Sequence, residues 1–464
     1  MGENQRMGAL NPPVHFIGVG GAGMSGIARI CIDRGLAISG SDIKNSTTLE
    51  ALTLRGGAIH IGHGAENLGD AKTVVISSAI KENNVELRAA RERGIPVISR
   101  AQALATLLSG YTSIAIAGTH GKTTTTSMLT VTLQNLGLDP SFAIGGTPHD
   151  SRANSHHGQG KFFIVEADES DGSFIEYHPD FAIVTNVEID HVDHFANQDA
   201  INLAFEQLLG TVKQGVVLCS DDEGSARLAK KAQELGLETY LYGQSEGADL
   251  RISHIYAGAD SSIYRATWQG RTLGEVKLVI PGVHNIENSG AALAMALLLG
   301  APASEAITAL GTFTGVGRRF ELRGKAKGIR VIDDYAHHPT EIRATIATAR
   351  LAAETGKVIA IFQPHRYSRT LAFSDDFASA LRSADQVILL DIYGAGEEPI
   401  PGASSAAIAL AISQLGGLAV FEPNLMSAID AALINAQPGD IILTLGAGDV
   451  TSLAPQILSA INER

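Results

Sequence analysis

Short apolar runs alternate along the chain with longer stretches of helical periodicity. In the first 110 residues the apolar runs are VHFIGV, LAISG, AIHIG, TVVISS and PVIS, and a helical pattern from about Ser25 to Arg34 follows the first of them. The alternation stops near Tyr111 and restarts with TSIAIAG and the helical pattern TTTTSMLTVTLQNLG. It resumes after Gly315 with IRVIDDY, KVIAIFQP, QVILLDIY and DIILTLGAG. This rhythm predicts parallel α/β units in three successive blocks.

The two breaks give the predicted domain boundaries, with domains at residues 1–111, 112–315 and 316–464. Within the middle block, the stretch from Leu237 to Val283 has a different pattern. It reads YLYG, LRISHIY, SSIYRATWQ and EVKLVI, separated by turn residues. Closely spaced short strands of this kind predict a small antiparallel annex.

Composition narrows the range of partners. The 464 residues are 45% apolar and 18% charged, and 35 basic against 49 acidic residues give a net charge of −14. A field of this sign repels nucleic acid and anionic membrane, so we expect neither as a partner. The apolar stretches fall short of the roughly 20 residues of a membrane helix, and no signal peptide is evident. We therefore expect a cytoplasmic protein, monomer or dimer, with Cys31 and Cys219 as core thiols.

The most informative motif is IAIAGTHGKTTTTSML. An apolar strand is predicted to end at Ala117, and a loop with Gly118 and Gly121 leads to Lys122 and Thr123 at the start of a helix. Glycines allow backbone N–H groups to converge on an anion, the lysine can reach β and γ phosphates, and the threonine hydroxyl can bind Mg²⁺. The first glycine of the strict phosphate-loop pattern is absent, so this is a variant, GTxGKT. The alternative is a glycine turn that contains a lysine by chance.

Carboxylates follow two of the predicted strands. Glu166 comes directly after KFFIV in the segment EADESDGSF, and Asp190 and His191 follow the strand FAIVTN. Glu166 is a natural Mg²⁺ ligand beside Thr123, because Mg²⁺ prefers carboxylate oxygens, phosphate and water. Imidazole is a less usual ligand for a hard cation, so the residue types leave His191 as either a ligand or a nearby base. The acidic cluster could also be a solvated loop.

A second glycine loop lies near the amino terminus. Gly18–Gly23 matches GxGxxG between a predicted strand and a helix, and Asp42 follows 19 residues later at the end of LAISG. This pattern is typical of dinucleotide sites, but a full dinucleotide fold needs two mononucleotide halves and the next block begins after about 110 residues. We therefore expect a ligand with one nucleotide and a diphosphate, such as a UDP-sugar. A plain strand-to-helix turn and a nicotinamide dehydrogenase are the alternatives.

With these motifs in view, the chain resembles the Mur ligases. The matching stretches, in order, are HFIGVGGAGMSGIA, GSD, VISSAI, AGTHGKTTTT, EADESDGSF, TNVEIDH, PGVHNIENSGAALA, GVGRRFE, DDYAHHPTEI and PHRYSRT. The resemblance implies an α/β fold of three domains. These are a Rossmann-like nucleotide-sugar domain, a P-loop ATPase-like central domain with a small antiparallel annex, and a Rossmann-like carboxyl-terminal domain that binds an amino acid.

The resemblance also implies a reaction and its residues. ATP and Mg²⁺ would drive amide formation between L-alanine and the lactyl carboxylate of UDP-N-acetylmuramate, through an acyl phosphate. The implied catalytic residues are Lys122, Glu166, His191 and Arg319, and the implied metal ligands are Thr123 and Glu166 for one Mg²⁺ and Glu166 and His191 for a second. The implied ATP site contains Gly118, Thr119, His120, Gly121, Lys122, Thr123, Thr124, His284, Asn285, Asn288, Arg319 and Asp334. The implied nucleotide-sugar site contains Gly20, Gly21, Ala22, Gly23, Met24, Ser25, Ser41, Asp42 and Ser78. The implied alanine pocket contains Tyr335, His337, Arg366 and Arg369.

Other interpretations stay open at several positions. Arg366 and Arg369 could make surface ion pairs, His338 and Pro339 could simply open a helix, and we expect His156 and His157 in an exposed loop. Several Mur ligases that catalyse later steps carry a metal-bridging lysine after the central histidine. Residues 192–211 of this chain contain no lysine. That absence favours the alanine-adding members. The nearest rival is the recycling ligase that attaches an intact tripeptide, and a nucleotide-gated binding protein is the rival from another class.

Overall fold

The computed structural model describes residues 10–151 and 153–464. The described chain divides into two compact units. The first contains the described residues up to Val187, with Asn202–Asp249 and Ala291–Ala309. The second contains Glu188–Ile201, Leu250–Gly290 and Leu310–Arg464.

Strands and helices alternate through most of the chain. The strands are β1 (Val14–Ile17), β2 (Ile38–Asp42), β3 (Ala58–Ile61), β4 (Thr73–Ile76), β5 (Val97–Ser99), β6 (Thr112–Ala117), β7 (Ser141–Ala143), β8 (Ser155–His156), β9 (Phe162–Glu166), β10 (Phe181–Val184), β11 (Gly215–Cys219), β12 (Glu238–Gly243), β13 (Leu250–Ala257), β14 (Ser262–Trp268), β15 (Arg271–Leu278), β16 (Glu321–Ala326), β17 (Ile329–Asp334), β18 (Val358–Phe362), β19 (Gln386–Leu389), β20 (Ala419–Phe421) and β21 (Ile441–Leu445). The α-helices are α1 (Ala22–Asp33), α2 (Thr47–Leu54), α3 (Val85–Glu92), α4 (Arg100–Leu108), α5 (Lys122–Asn135), α6 (Gln198–Leu209), α7 (Glu223–Glu234), α8 (Val283–Leu298), α9 (Ala303–Leu310), α10 (Pro339–Ala353), α11 (Tyr367–Ala372), α12 (Ser374–Leu381), α13 (Ser405–Gln414), α14 (Leu425–Leu433) and α15 (Leu453–Glu463). Three short 3₁₀ helices lie at Ala65–Leu68, Ser173–Tyr177 and Asp449–Ser452.

The first sheet is parallel and has the order β3-β2-β1-β4-β5. The strand order reverses between β1 and β4, and in open α/β sheets ligands bind at the carboxyl ends of the strands beside this reversal. The loops that follow these two strands carry the GxGxxG motif and Ser78. Helix α1 begins at Ala22, three residues earlier than the sequence pattern indicated. The glycine loop therefore already forms the first turn of the helix.

The strands around the phosphate loop are also parallel to one another. Strand β6 pairs with β9 on one side and β10 on the other, and the order continues through β11 to β12. Beyond β9 lies β7, and β8 pairs antiparallel with β7. The expectation that YLYG belongs to the antiparallel annex is wrong, because these residues lie in β12, which pairs parallel with β11. The sequence pattern of such a short strand is the same whether the strand pairs parallel or antiparallel with its neighbour.

In the second unit, β13, β14 and β15 form an antiparallel meander, as the remaining annex strands predicted. A third sheet has the order β16-β17-β21-β18-β19-β20, antiparallel only at β16. Both of its faces are buried. Along β18, Ala360 and Phe362 pack on one side, and Ile359 and Ile361 pack on the other. Successive side chains of a strand point to opposite faces, so helices must cover both sides of this sheet.

Three expectations concern features outside the site. Both cysteines are buried free thiols, as predicted. Within the described residues, no helix has the length and apolar character needed to cross a bilayer. The expectation that the chain has no signal peptide concerns a segment that includes residues 1–9, and these residues lie outside the described part of the chain.

Candidate functional site

The phosphate loop joins β6 to α5 and is fastened to the end of β10. Gly118 has φ +134°, and a Cβ there would lie 2.0 Å from Thr185 Oγ1, so a larger residue does not fit. Gly121 has φ +79° and caps α5. The His120 N–H donates to Asn186 Oδ1 at 2.7 Å, and the His120 carbonyl accepts from Thr185 Oγ1 at 2.6 Å. Strand, loop and helix thus lie where the motif predicted them, and the glycine turn has a fixed geometry.

Lys122 lies inside this loop and is held by a carboxylate. Its Nζ donates to both oxygens of Glu169, at 2.8 and 3.0 Å, and to the carbonyls of Gly118 and Thr119, at 2.6 and 3.1 Å. Glu169 is completely buried and Lys122 is 11% exposed. The ammonium therefore lies where the loop would receive phosphate, but it is paired within the protein.

The electrostatics of this pair reflect burial. Burial raises the pKa of Glu169 to about 7, even though Lys122 acts to lower it. Burial alone would lower the pKa of Lys122, but the carboxylates of Glu169, Asp168 and Glu166 outweigh it and raise that pKa. Lys122 is therefore fully charged at neutral pH, as phosphate binding requires.

Thr123 and Glu166 meet at the start of α5. The Thr123 hydroxyl donates to Glu166 Oε1 at 2.9 Å, and the Gly145 N–H donates to Glu166 Oε2 at 2.7 Å. Glu166 is the last residue of β9, the neighbour of β6, so the parallel sheet brings both side chains to one edge. A hydroxyl and a carboxylate at this spacing form the hard oxygen donor set that suits Mg²⁺ beside a phosphate loop. The residues present fit that ion.

The amino-terminal glycine loop is ordered by Asp42. The Asp42 carboxylate accepts the N–H of Gly20 at 2.9 Å and the N–H of Ile43 at 2.8 Å. Asp42 thus fixes the loop backbone as well as standing at the end of β2. The predicted site residues of this loop occupy the turn and the first helical turn of α1. They are Gly20, Gly21, Ala22, Gly23, Met24 and Ser25. Ser78 is exposed in the turn after β4.

Ser41, also predicted for the nucleotide-sugar site, points into the protein. It is fully buried and its hydroxyl donates to Glu86 Oε2 at 2.5 Å. Glu86 is itself buried and also accepts from Asn67 Nδ2 at 2.7 Å and from the Gly64 N–H at 3.2 Å, while His63 Nδ1 lies 3.0 Å away. Burial would raise the pKa of Glu86, but His15 and the hydrogen bonds from Ser41, Asn67 and the Gly64 N–H outweigh it and lower that pKa to about 2. Ser41 therefore belongs to an internal hydrogen-bond network.

His191 belongs to the second unit. It has φ +49°, and its backbone N–H donates to Asp190 Oδ1 at 2.7 Å. Asp190 Oδ1 also accepts from Arg369 Nε at 2.8 Å, and both members of this ion pair are 3% exposed. Burial opposes the charge on Asp190, but Arg369 outweighs it and holds the pKa of Asp190 far below its usual range. The surface ion pair considered for Arg369 is thus a buried one that fixes the turn carrying His191.

A group of aromatic and basic side chains surrounds Tyr335. The guanidinium carbons of Arg318 and Arg319 lie 4.8 and 5.1 Å from the centre of its ring, and the His337 ring meets its edge at 5.2 Å. Arg319 Nη1 also lies 3.7 Å from Glu341 Oε1. Burial lowers the pKa of His337 to about 3, so its imidazole is neutral near pH 7. The structure thus brings together three predicted site residues, Arg319, Tyr335 and His337.

Asp334 is 6% exposed, and its oxygens accept the N–H groups of Phe320 and Ala336, both at 2.7 Å. Burial raises the pKa of Asp334 to about 6. These hydrogen bonds fix the two loops that contain Phe320 and Ala336. Arg366 pairs with Asp193 and lies 3.7 Å from Glu397.

The HNxxN stretch opens α8. Burial lowers the pKa of His284 to about 4, so this ring is neutral near pH 7. Asn285 donates from Nδ2 to the Pro281 carbonyl at 2.7 Å, and Asn288 is buried. Thr119 and Thr124 are buried in the loop and first turn of α5. The adenine-side role of the three α8 residues remains a prediction.

One expectation near the site is wrong for one of its two residues. His156 does not lie in a loop, because it belongs to β8, contacts the Phe142 ring at 5.7 Å, and has its Nε2 3.1 Å from Asp139 Oδ1. His157 follows that strand in a loop, as predicted. Both histidines are partly buried. By contrast, His338 caps α10, with Pro339 as its first residue, so the structural interpretation of that pair is confirmed.

Sequence reasoning missed several residues that contact or neighbour the predicted site residues. Glu169 lies in the acidic segment EADESDGSF, but its pairing with Lys122 was not predicted, and neither was the ion pair of Asp190 with Arg369. Arg100, which lines a cavity together with Gly23 and Glu166, is not among the predicted site residues. It follows directly after β5, at the carboxyl end of a parallel strand, and that position could have signalled it.

Comparison with known proteins addresses the whole chain. Three family models match in order: "Mur ligase family, catalytic domain" over residues 13–112, "Mur ligase middle domain" over 116–296, and "Mur ligase, glutamate ligase domain" over 318–448. The UDP-N-acetylmuramate--L-alanine ligase of Renibacterium salmoninarum is 47% identical over 450 residues, which cover 97% of this chain and 96% of the relative.

Solved structures agree with the fold. The UDP-N-acetylmuramate-alanine ligase MurC of Thermotoga maritima superimposes with a TM-score of 0.81 at 30% identity, covering 97% of this chain and 99% of the other. A murein peptide ligase mpl from Psychrobacter arcticus has a TM-score of 0.69 at 24% identity with the same coverage, which supports the fold alone. The resemblance drawn from the sequence is confirmed, and the chain belongs to the Mur ligase family.

Proposed function

We propose that this chain is an ATP-dependent ligase that joins L-alanine to the lactyl carboxylate of UDP-N-acetylmuramate in peptidoglycan precursor synthesis. The observation that carries the proposal is the near-full-length similarity, at 47% identity, to a relative named UDP-N-acetylmuramate--L-alanine ligase. The phosphate loop with Lys122, Thr123 and Glu166 supplies the chemistry such a reaction needs. The protein would act in the cytoplasm.

The chemistry follows from the poor reactivity of a carboxylate towards an amine. In the first step a carboxylate oxygen bonds to the γ-phosphorus of ATP and the bond to ADP breaks, which gives an acyl phosphate. Two anions must approach in this step, and Lys122 lies in the loop that would hold the phosphates. In the second step the alanine nitrogen bonds to the acyl carbon, loses a proton, and inorganic phosphate departs.

Mg²⁺ bound by Thr123 and Glu166 would supply charge neutralisation at the phosphates. By resemblance, His191 with Glu166 would hold a second ion, and Arg319 would contact the γ-phosphate. Tyr335, His337, Arg366 and Arg369 would form the alanine pocket. Because Arg369 Nε is already paired with Asp190, only its remaining N–H groups are available to an amino acid carboxylate.

We also propose three domains, with boundaries near residues 111 and 315. The first would bind the nucleotide sugar through the glycine loop and Asp42. The second would bind ATP through the phosphate loop, with His284, Asn285, Asn288 and Asp334 on the nucleoside side. The third would bind alanine.

The proposal is tested by phosphate release. The purified protein with ATP and Mg²⁺ should release phosphate only when UDP-N-acetylmuramate and L-alanine are both present, and ¹⁸O from the sugar carboxylate should appear in that phosphate. UDP-N-acetylglucosamine is the matched control substrate, because it lacks the lactyl carboxylate and should support no release. Phosphate release without alanine would instead favour a nucleotide-gated binding protein. Turnover with an intact tripeptide but not with alanine would favour the recycling ligase.

A further inference from the structure

The first unit contains a cavity of about 210 Å³ that lies beside helix α1 and extends to the acidic end of β9. One wall is apolar, with Ile27, Leu104 and Ile144, each at most 5% exposed. Glu166 and Asp168 line another part. The cavity therefore has an apolar face that suits the carbon skeleton of a sugar, and an acidic end where Thr123 meets Glu166.

Arg100 is the cation that lines this cavity. Its guanidinium lies against the first turn of α1, because a Cβ on Gly23 would come within 2.9 Å of Arg100 Nη1. Among the described residues, Arg100 has no hydrogen-bonded side-chain acceptor and no carboxylate within ion-pair distance. A half-buried guanidinium without an acidic partner is available to an anionic ligand.

The place of Arg100 on its own helix argues against a purely structural role. Arg100 is the first residue of α4, and Ser99 and Gln102 already cap that helix with a complete capping box. A cation at the positive end of a helix dipole destabilises the helix slightly. Helix stability therefore gives no reason for an arginine at this position.

The facing end of α1 also lacks an internal partner. Its cap, Gly21, makes no side-chain hydrogen bond, and its first turn contains no acidic residue. The first helical hydrogen bond runs from the Ser25 N–H to the Gly21 carbonyl, so the N–H groups just before Ser25 point out of the helix end. Backbone N–H groups and a guanidinium thus converge on one space, an arrangement that binds phosphate oxygens.

We infer that Arg100 binds the diphosphate of the sugar nucleotide and so positions the sugar along the apolar wall with its carboxylate towards Glu166. The inference rests on the proposed function, because it takes the nucleotide sugar as the ligand. The guanidinium lies against the first turn of α1, where the glycine loop would receive the diphosphate, so we assign Arg100 to that end of the ligand. Arg100 is then a substrate-binding residue.

The test is calorimetric titration of the full-length protein, without ATP, with UDP, UDP-N-acetylglucosamine and UDP-N-acetylmuramate. Arg100→Met should weaken all three by a similar factor of about 10- to 100-fold, which is the loss expected for a charge-assisted hydrogen-bond pair. Arg100→Lys keeps the charge but not the two-pronged geometry, so it should fall in between. Arg91→Met is the matched control, since Arg91 is an exposed arginine of the same unit paired with Glu82.

Two results would overturn the inference. Unchanged binding of all three ligands would show that Arg100 touches none of them. Weakened binding of UDP-N-acetylmuramate alone would place Arg100 on the lactyl carboxylate instead. Melting curves establish whether each variant is folded. If Arg100→Met is not folded, Arg100→Lys is used for the test instead. Alanine-dependent phosphate release by the unaltered protein is measured separately, so failure of the proposed ligase activity is distinguishable from failure of this assignment.

Discussion

The buried ion pair between Asp190 and Arg369 gives the sharpest quantitative prediction. The pair is 3% exposed on both sides, with Nε and Oδ1 2.8 Å apart. Two unit charges about 4 Å apart attract by about 4 kcal/mol at an effective dielectric constant of 20. Removing one partner also leaves a buried charge uncompensated, which typically costs about 3–5 kcal/mol. We therefore expect Asp190→Asn and Arg369→Met each to lower the free energy of unfolding of the second unit by about this amount.

The double variant separates this explanation from lost packing. With both charges removed, neither group is left unpaired, so the double variant should be more stable than the sum of the two single losses predicts, by about 2 kcal/mol or more. Hydrogen–deuterium exchange of peptides from β18 and β21 measures the opening free energy of the sheet in that unit. Arg323→Met is the control, because Arg323 is 35% exposed in its pair with Glu321 and should cost less than about 1 kcal/mol.

The pH dependence of the same pair has a definite sign. The folded-state pKa of Asp190 is depressed, so the stabilisation is present above the unfolded-state pKa and is lost as the pH falls. The difference between the unaltered protein and Asp190→Asn should thus shrink in acid. Strictly additive single losses at pH 7, or a difference that grows in acid, would refute the reasoning.

Three further predictions concern the first unit. Lys122→Met should abolish phosphate release yet leave nucleotide-sugar binding almost unchanged by calorimetry, and loss of that binding would contradict two separate anion sites. Folding lowers the pKa of Glu86 from 4.5 to about 2, so its ionised carboxylate should add about 3 kcal/mol to the free energy of unfolding at neutral pH, and this is lost as the pH falls from about 4.5 to 2. Urea unfolding should show that the loss of stability caused by Glu86→Gln is smaller at pH 3 than at pH 7. A loss that is the same at both pH values would contradict this. Burial raises the pKa of the Cys31 thiol to about 12, so Cys31 should not react with a thiol reagent at pH 8 until urea unfolds the chain. Mass spectrometry of labelled peptides would detect a reaction of Cys31 in the folded protein, which would contradict this prediction.

Elements with strong local signals were predictable from the sequence. The phosphate loop was one, since an apolar strand, two glycines and a helix start at Lys122 each leave a pattern over a few residues. Glu166 was another, because it ends an apolar run and parallel strands bring such ends together. The parallel pairing of β12 was not predictable, since pairing partners depend on residues far along the chain.

Contacts between distant residues account for most of what was missed. Glu169 lies 47 positions from Lys122, and Asp190 lies 179 positions from Arg369. Neither spacing has a sequence signature. Ser41 shows the same limit in another way, because its place at a strand end suggested a ligand contact, whereas Glu86, 45 positions away, takes its hydroxyl.

Four of the cations assigned to anion binding are already paired within the protein, unlike Arg100. The four pairs are Lys122 with Glu169, Arg319 with Glu341, Arg366 with Asp193, and Arg369 with Asp190. In a chain of net charge −14, such pairing offsets the repulsion among neighbouring carboxylates. A single substitution of any of these cations therefore releases an unpaired carboxylate as well as removing a ligand contact. Loss of activity in such a variant mixes the two effects, and only the variant that neutralises the partner carboxylate as well can separate them.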